Sequence, residues 1–139
     1  MSTVAITAIS TNQDRGSQIQ SPITLKGSFT ANDTNDHVMT VASHGKSKMT
    51  VSVDNPANQI ATVKVYGTHL ATGAIGGTGT FYLNTFTVAA ANADQALVQG
   101  GYDSYDDPFP WYLIDVSYAS SPTDNPVTTC TVYVDISAN

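Results

Sequence analysis

Glutamate is absent from this 139-residue chain; all eleven of its acidic residues are aspartate. Aspartate competes with its own backbone for hydrogen bonds and favours turns, whereas glutamate favours helix interiors, so the bias speaks against long helices. Cysteine is nearly absent: Cys130 stands alone, and no internal disulfide can form. It alternates with Val132, Val134 and Ile136, the pattern of a small core hydrophobe rather than a nucleophile. Basic residues number five and are scattered, which leaves no electrostatic footprint for nucleic acid. Charged residues make up only 12%, with a net charge of −6, so Thr, Ser, Asn and Gly carry much of the polarity. No run approaches the roughly eighteen apolar residues that span a bilayer, and no membrane partner is expected. Met1-Ser2-Thr3-Val4 has neither a basic n-region nor an apolar h-region, so the expectation is synthesis in a cytoplasm without a secretory signal.

What is present is organised around Trp111-Tyr112-Leu113-Ile114-Asp115-Val116-Ser117-Tyr118. β-Branched and aromatic residues dominate it, and Ser120-Ser121-Pro122 closes it, so it reads as a strand. Tyr112, Ile114, Val116 and Tyr118 share one face; Trp111, Leu113, Asp115 and Ser117 share the other. A strand apolar on much of both faces belongs inside a sheet. Asp115 in that position requires a partner, because an unpaired buried carboxylate is costly.

Along the rest of the chain, Val4–Ile9 is a short strand and the polar run 10–21 an arm or loop. Ile23, Leu25 and Phe29 alternate with polar residues, and Gly27 marks a bulge or a close backbone approach. Asn32–Asp36 is a turn cluster. His37–Ala42 and Met49–Val53 are strands whose connection through 43–46 has the look of a hairpin. Ala61, Val63 and Val65 face the core; Gly67–Thr80 is a glycine-rich loop read as flexible. Phe81–Leu83 and Phe86–Val88 are strand-like, with a bulge near Asn84-Thr85. Ala89–Ala96 alone has helical composition, and Val127–Ile136 is an alternating final strand. Eight or nine short strands separated by turn signals imply an all-β fold, a single antiparallel β-sandwich of jelly-roll or immunoglobulin-like type over 1–139. A closed barrel is the alternative.

Few constellations carry chemistry. His37, His44 and His69 come from separate segments without zinc-site spacing and read as solvated loop residues. The run Gly73–Gly79 lacks the lysine and the following helix of a phosphate loop. No Gly-x-Ser-x-Gly elbow is present, and Asn32-Asp33-Thr34 matches a glycosylation sequon that means little without secretion. The most loaded segment is the loop Gly100–Pro110 leading into Trp111. Its Asp103, Asp106 and Asp107 are weak calcium candidates whose spacing does not match an EF-hand. Its Tyr102, Tyr105 and Phe109, with Trp111, form a candidate protein interface or ligand platform, aromatics being enriched at interfaces. The structural alternative is that Phe109 and Trp111 cap the core while the tyrosines pack over its rim.

The order Ala61–Thr68, Phe81–Val88, Trp111–Ser117 and Val127–Ile136 resembles small β-sandwich virion proteins of tailed bacteriophages, particularly head decoration (cement) proteins. The resemblance covers about residues 58–136. It implies a non-enzymatic capsid-surface protein, often trimeric, that binds the major capsid protein and copies of itself and needs no cofactor. A second expectation, from a different class, is a carbohydrate- or receptor-binding virion module using the same aromatic-acidic loop, with or without calcium. An enzyme would need a pocket gathering a histidine with an aspartate.

Overall fold

The computed structural model describes residues 3–10, 23–46, 48–91, 99–105 and 109–137. Ten strands run through them: β1 (Thr3–Ile6), β2 (Ile9–Ser10), β3 (Ile23–Ala31), β4 (Asp36–Ala42), β5 (Lys48–Asn55), β6 (Ala61–Thr68), β7 (Thr80–Val88), β8 (Gln99–Tyr105), β9 (Trp111–Tyr118) and β10 (Thr128–Ser137). They form two five-stranded sheets, in the orders β1-β4-β9-β6-β7 and β2-β3-β10-β5-β8. The pairing of β1 with β4 is parallel; the other pairings are antiparallel. The sheets pack face to face as a sandwich, not a barrel. β9 and β10 occupy the two central positions.

Alternation decides which side chains enter the core. On β9 the inward set is Tyr112, Ile114, Val116 and Tyr118, opposite Ala61, Val63 and Val65 of β6 in register. From the second sheet, Cys130, Val132, Val134 and Ile136 meet them together with Met49, Val51 and Val53. All are buried, and each large apolar side chain contributes about 1.5–3 kcal/mol by leaving water. Burial pushes the Cys130 thiol up to about 11, so it stays protonated and inert at neutral pH.

Asn55 ties the sheets together at one end. Its side chain donates to the carbonyls of Gln59 (2.9 Å) and Ala89 (3.2 Å) and accepts from the Ala57 amide (3.2 Å) and the Tyr118 hydroxyl (2.9 Å). A fully buried amide is tolerable because both of its ends are bonded. Gly27 is a close approach: a Cβ there would come within 2.6 Å of Ile6 and Met39, where β1 crosses the sandwich edge.

Several expectations need correction. The strands joined by 43–46 are not a hairpin, since β4 lies in one sheet and β5 in the other. Both carry an apolar inner face, and the chain crosses between sheets so that these faces meet; the Ser43 amide is held by the Pro110 carbonyl (3.0 Å). His37 is not solvated but 4% exposed, with its ring stacked on Phe29 at 3.9 Å and Nε2 donating to Asp33 (2.8 Å). Burial pushes the Asp33 carboxyl up, but its hydrogen bonds to His37 and the Asn35 backbone outweigh this and hold it low. Most of the Gly100–Pro110 loop is strand β8 rather than loop. The arm at 10–21, apart from Ser10 in β2, and most of the Ala89–Ala96 segment lie outside the described residues.

Candidate functional site

The outer face of the β9 sheet is built from residues that point away from the core. Across β9, Leu113 pairs with Thr40 of β4 and Tyr66 of β6, and Tyr66 in turn pairs with Tyr82 of β7. One step along, Asp115 pairs with Val38 and Lys64. The register shift opposite Val65/Tyr66 brings Tyr82 beside Tyr66, since an extra residue on β7 re-aims the side chains that precede it. The two rings stand edge to face, 5.8 Å apart at 68°. Tyr82 is 58% exposed on this edge strand, and its hydroxyl lies 2.6 Å from the Thr85 hydroxyl.

Beside the tyrosines is an acid pair. Asp115 is 4% exposed and its Oδ1 has no hydrogen-bond partner. Burial raises its carboxyl, the neighbouring Asp36 raises it further by charge and by a hydrogen bond, and Lys64 only partly opposes them; the result is about 7. The partner that the central strand demanded is therefore a second carboxyl, to which Asp115 is hydrogen-bonded, and Asp115 keeps its proton up to about neutrality. Burial and the same two carboxylates push the Tyr66 hydroxyl upward, so it remains a donor.

The glycine-rich loop completes the face. It is a stack of turns rather than a flexible excursion: amides of Gly73, Gly77 and Thr80 donate to the carbonyls of Leu70 (3.0 Å), Ala74 (2.9 Å) and Gly77 (3.3 Å). At its base the Thr80 hydroxyl donates to Thr68 (3.0 Å), and Gly73 lies so close to Thr68 that a side chain there would collide. Gly76 and Gly79, at φ 78° and 80°, make the turns that fold it back. Residues 73–75 thereby overhang the sheet beside Leu113, which is 1% exposed although it points outward. Between loop and sheet lies a slot of about 280 Å³, with Thr3, Ala5, Val38, Thr40 and Leu113 along the sheet side.

The residues anticipated from sequence are distributed differently. Phe109 packs over Gly67, 5.4 Å from His69 and 6.0 Å from Tyr112, and its amide donates to the Tyr112 hydroxyl (3.0 Å). Trp111 is half-buried at the start of β9. Tyr105 packs against the core from the other sheet, and Tyr102 and Asp103 are β8 residues paired with Ser52 and Val51. Asp106 and Asp107 lie outside the described residues. Phe109 and Trp111 thus lie together at the start of β9, while Tyr105 belongs to the other sheet. Among the described residues, no three His, Cys or Asp side chains group as metal ligands. Tyr66, Tyr82 and Asp36 were not singled out from sequence; Asp115 was, by its place in an apolar strand.

No family model matches this sequence, and no curated protein matches it. Solved structures do. The K1 cleaved adhesin domain of Lys-gingipain from Porphyromonas gingivalis W83 matches at 15% identity over 91% of this chain and 89% of that one, with a TM-score of 0.56. What the two share is the fold. PliG of Aeromonas hydrophila, a periplasmic inhibitor of g-type lysozyme, matches at 17% identity over 98% and 96% of the two chains, with a TM-score of 0.44. A CBM4 structure matches at 15% identity over 92% of this chain and 74% of that one, with a TM-score of 0.43. At those two scores the likeness carries no weight beyond the two-sheet architecture already described.

Proposed function

We propose that this chain is a non-catalytic β-sandwich binding module that holds a saccharide against the outer face of the β9 sheet. The observation that carries the reading is the Tyr66–Tyr82 pair, with Tyr82 exposed on the edge strand β7, Tyr66 half-buried beside it on β6, and Asp36, Lys64 and Thr85 nearby. Aromatic rings receive the C–H faces of a sugar, and carboxyl, ammonium and hydroxyl groups bond its rim. An apolar surface with a few convergent polar groups is the usual composition of a ligand site. The fold shared with an adhesin domain supports a binding role.

The acid pair does not favour catalysis. The raised carboxyl, Asp115, is 4% exposed and does not line the adjoining slot, so a substrate does not reach it. Calcium has no part in this reading. The test is a glycan array followed by calorimetry: wild-type protein binds a defined saccharide set, and Tyr82→Ala weakens binding at least tenfold. Binding to no saccharide, together with stoichiometric attachment to purified phage heads, would instead support the capsid-decoration role implied by the strand-order resemblance.

A further inference from the structure

We infer that the corner of the sandwich formed by His69, Leu70, Phe81 and Phe109 is a contact surface for a second copy of this chain, the two copies meeting about a two-fold axis. Of the eight large apolar side chains left well exposed among the described residues, four (Leu70, Ile75, Phe81 and Tyr82) fall within residues 70–82. Single exposures scattered over a surface are ordinary, but a concentration of them marks an interaction site. The corner is well ordered. Beyond Thr68 and Thr80 the His69 amide donates to the Gly79 carbonyl (3.0 Å), which extends the β6–β7 pairing into the loop. Leu70 lies over Gly79, 3.8 Å from where a Cβ there would stand. The Phe81 ring, 52% exposed, is braced by His69 at 5.9 Å and Phe109 at 6.3 Å, and those two rings are 5.4 Å apart. Rings that already hold one another lose little freedom when a partner covers them.

Charge selects the occupant. The chain carries a net charge of −6, so two copies repel one another over most of their surfaces. From Val65 to Ala93, however, there is no Asp, Glu, Lys or Arg, the longest uncharged stretch in the sequence. A two-fold contact sets one patch against the same patch, and an apolar aromatic patch tolerates that where a charged one does not. A basic partner would find no carboxylate on this stretch to pair with. Nor is the contact a continuous sheet. The β6–β7 register skips Leu83, and the Asn84 side chain takes the Thr85 amide (2.8 Å), so the β7 edge is blunted as a template for another strand. Packing of rings and Leu70 is what the corner offers, in keeping with the aromatic enrichment of protein interfaces. Phe81 pairs with Gly67 and Tyr82 with Tyr66, on opposite sides of the pleat, so the outer face of the β9 sheet stays open in the pair.

The experiment is analytical ultracentrifugation of the full chain from low micromolar to millimolar concentration. The mass is expected to rise from 14.6 kDa toward twice that value, and no further. Phe81→Asp and Leu70→Asp each place like charges against one another across the axis and are expected to weaken association at least about tenfold. Leu70 is 49% exposed on the loop, so Leu70→Asp keeps the fold and decides the matter alone if Phe81→Asp does not fold. Ile60→Asp and Val127→Asp are matched controls: both residues are more than half exposed, and they precede β6 and β10 at the opposite end of the sandwich. They are expected to leave association unchanged. A mass of one chain at every concentration would overturn the inference. So would a dimer that survives Leu70→Asp, or one that the control substitutions abolish instead.

Discussion

The two outer faces of the sandwich are built on different central strands. β10 alternates cleanly: Cys130, Val132, Val134 and Ile136 are buried, while Thr129, Thr131, Tyr133 and Asp135 face outward beside Ser28, Thr30, Thr50 and Ser52. That face is a hydroxyl-rich surface, with Lys26 above the Tyr133 ring at 5.9 Å. β9 is buried on both faces from Tyr112 to Val116. A strand of the first kind needs only water on its outer side; one of the second kind needs cover. Residues 73–75 of the glycine-rich loop supply it over Leu113, and Asp36, Lys64 and Tyr66 flank Asp115. The contrast places the candidate site, since cover, slot, acid pair and tyrosine edge all belong to the β9 sheet.

Substitutions at matched outer positions of the two central strands would break or sharpen this contrast. The largest effect is expected at Leu113. Leu113→Ala should cost about 2–5 kcal/mol in urea unfolding, the usual cost of a fully buried leucine. The matched change Thr131→Ala on the β10 face should stay within about 0.5 kcal/mol. Equal small losses would mean that the loop does not cover the β9 face.

Next comes Asp115→Asn. The carboxyl is raised from 3.8 in the unfolded chain to about 7 in the folded one, so between those values the folded state holds a proton that the unfolded state has lost. Wild-type stability therefore falls as pH rises from about 4 to 7 and stays reduced above that. The asparagine variant should lack this fall. At pH 8 it should be the more stable by on the order of 2–4 kcal/mol, with the difference shrinking toward pH 3. Chemical unfolding across pH 3–8 measures this, and a variant less stable at pH 8 would contradict the raised Asp115 carboxyl.

Tyr82→Ala should move stability by less than about 0.5 kcal/mol, because the ring is 58% exposed, while weakening saccharide binding at least tenfold. Loss of stability without loss of binding would make the tyrosine pair an edge support rather than a contact surface. The smallest effect on binding is expected at Cys130→Ser, a near-isosteric change of a buried thiol far from the tyrosine pair in sequence. It should cost about 1–3 kcal/mol if the hydroxyl goes unbonded and leave binding unchanged.

Legibility from sequence followed the same division. The alternation of β10 and the two-sided apolarity of β9 both place their strands correctly, and Asp115 is conspicuous because a carboxyl in such a strand demands a partner. That partner is hidden in sequence: Asp36 reaches Asp115 only through the register of β4 on β9, a non-local fact that alternation does not encode. The 43–46 connection misleads for a related reason, since two amphipathic strands joined by a tight turn read alike whether they pair or cross between sheets. Gly67–Thr80 reads as flexible because glycine carries no side-chain pattern; its order comes from backbone turns and from Gly73 lying against Thr68. Gly100, Gly101 and Asp103 have low strand propensity, yet β8 forms because the β5 edge is there to pair with it.

The most direct test compares two double variants in one saccharide-binding assay, Tyr66→Ala/Tyr82→Ala on the β9 sheet and Thr131→Ala/Tyr133→Ala on the β10 sheet, with folding verified by circular dichroism. Binding abolished by the first pair and untouched by the second is the predicted result. Binding that survives the first and fails with the second would place the contact surface on the opposite face and contradict the proposal.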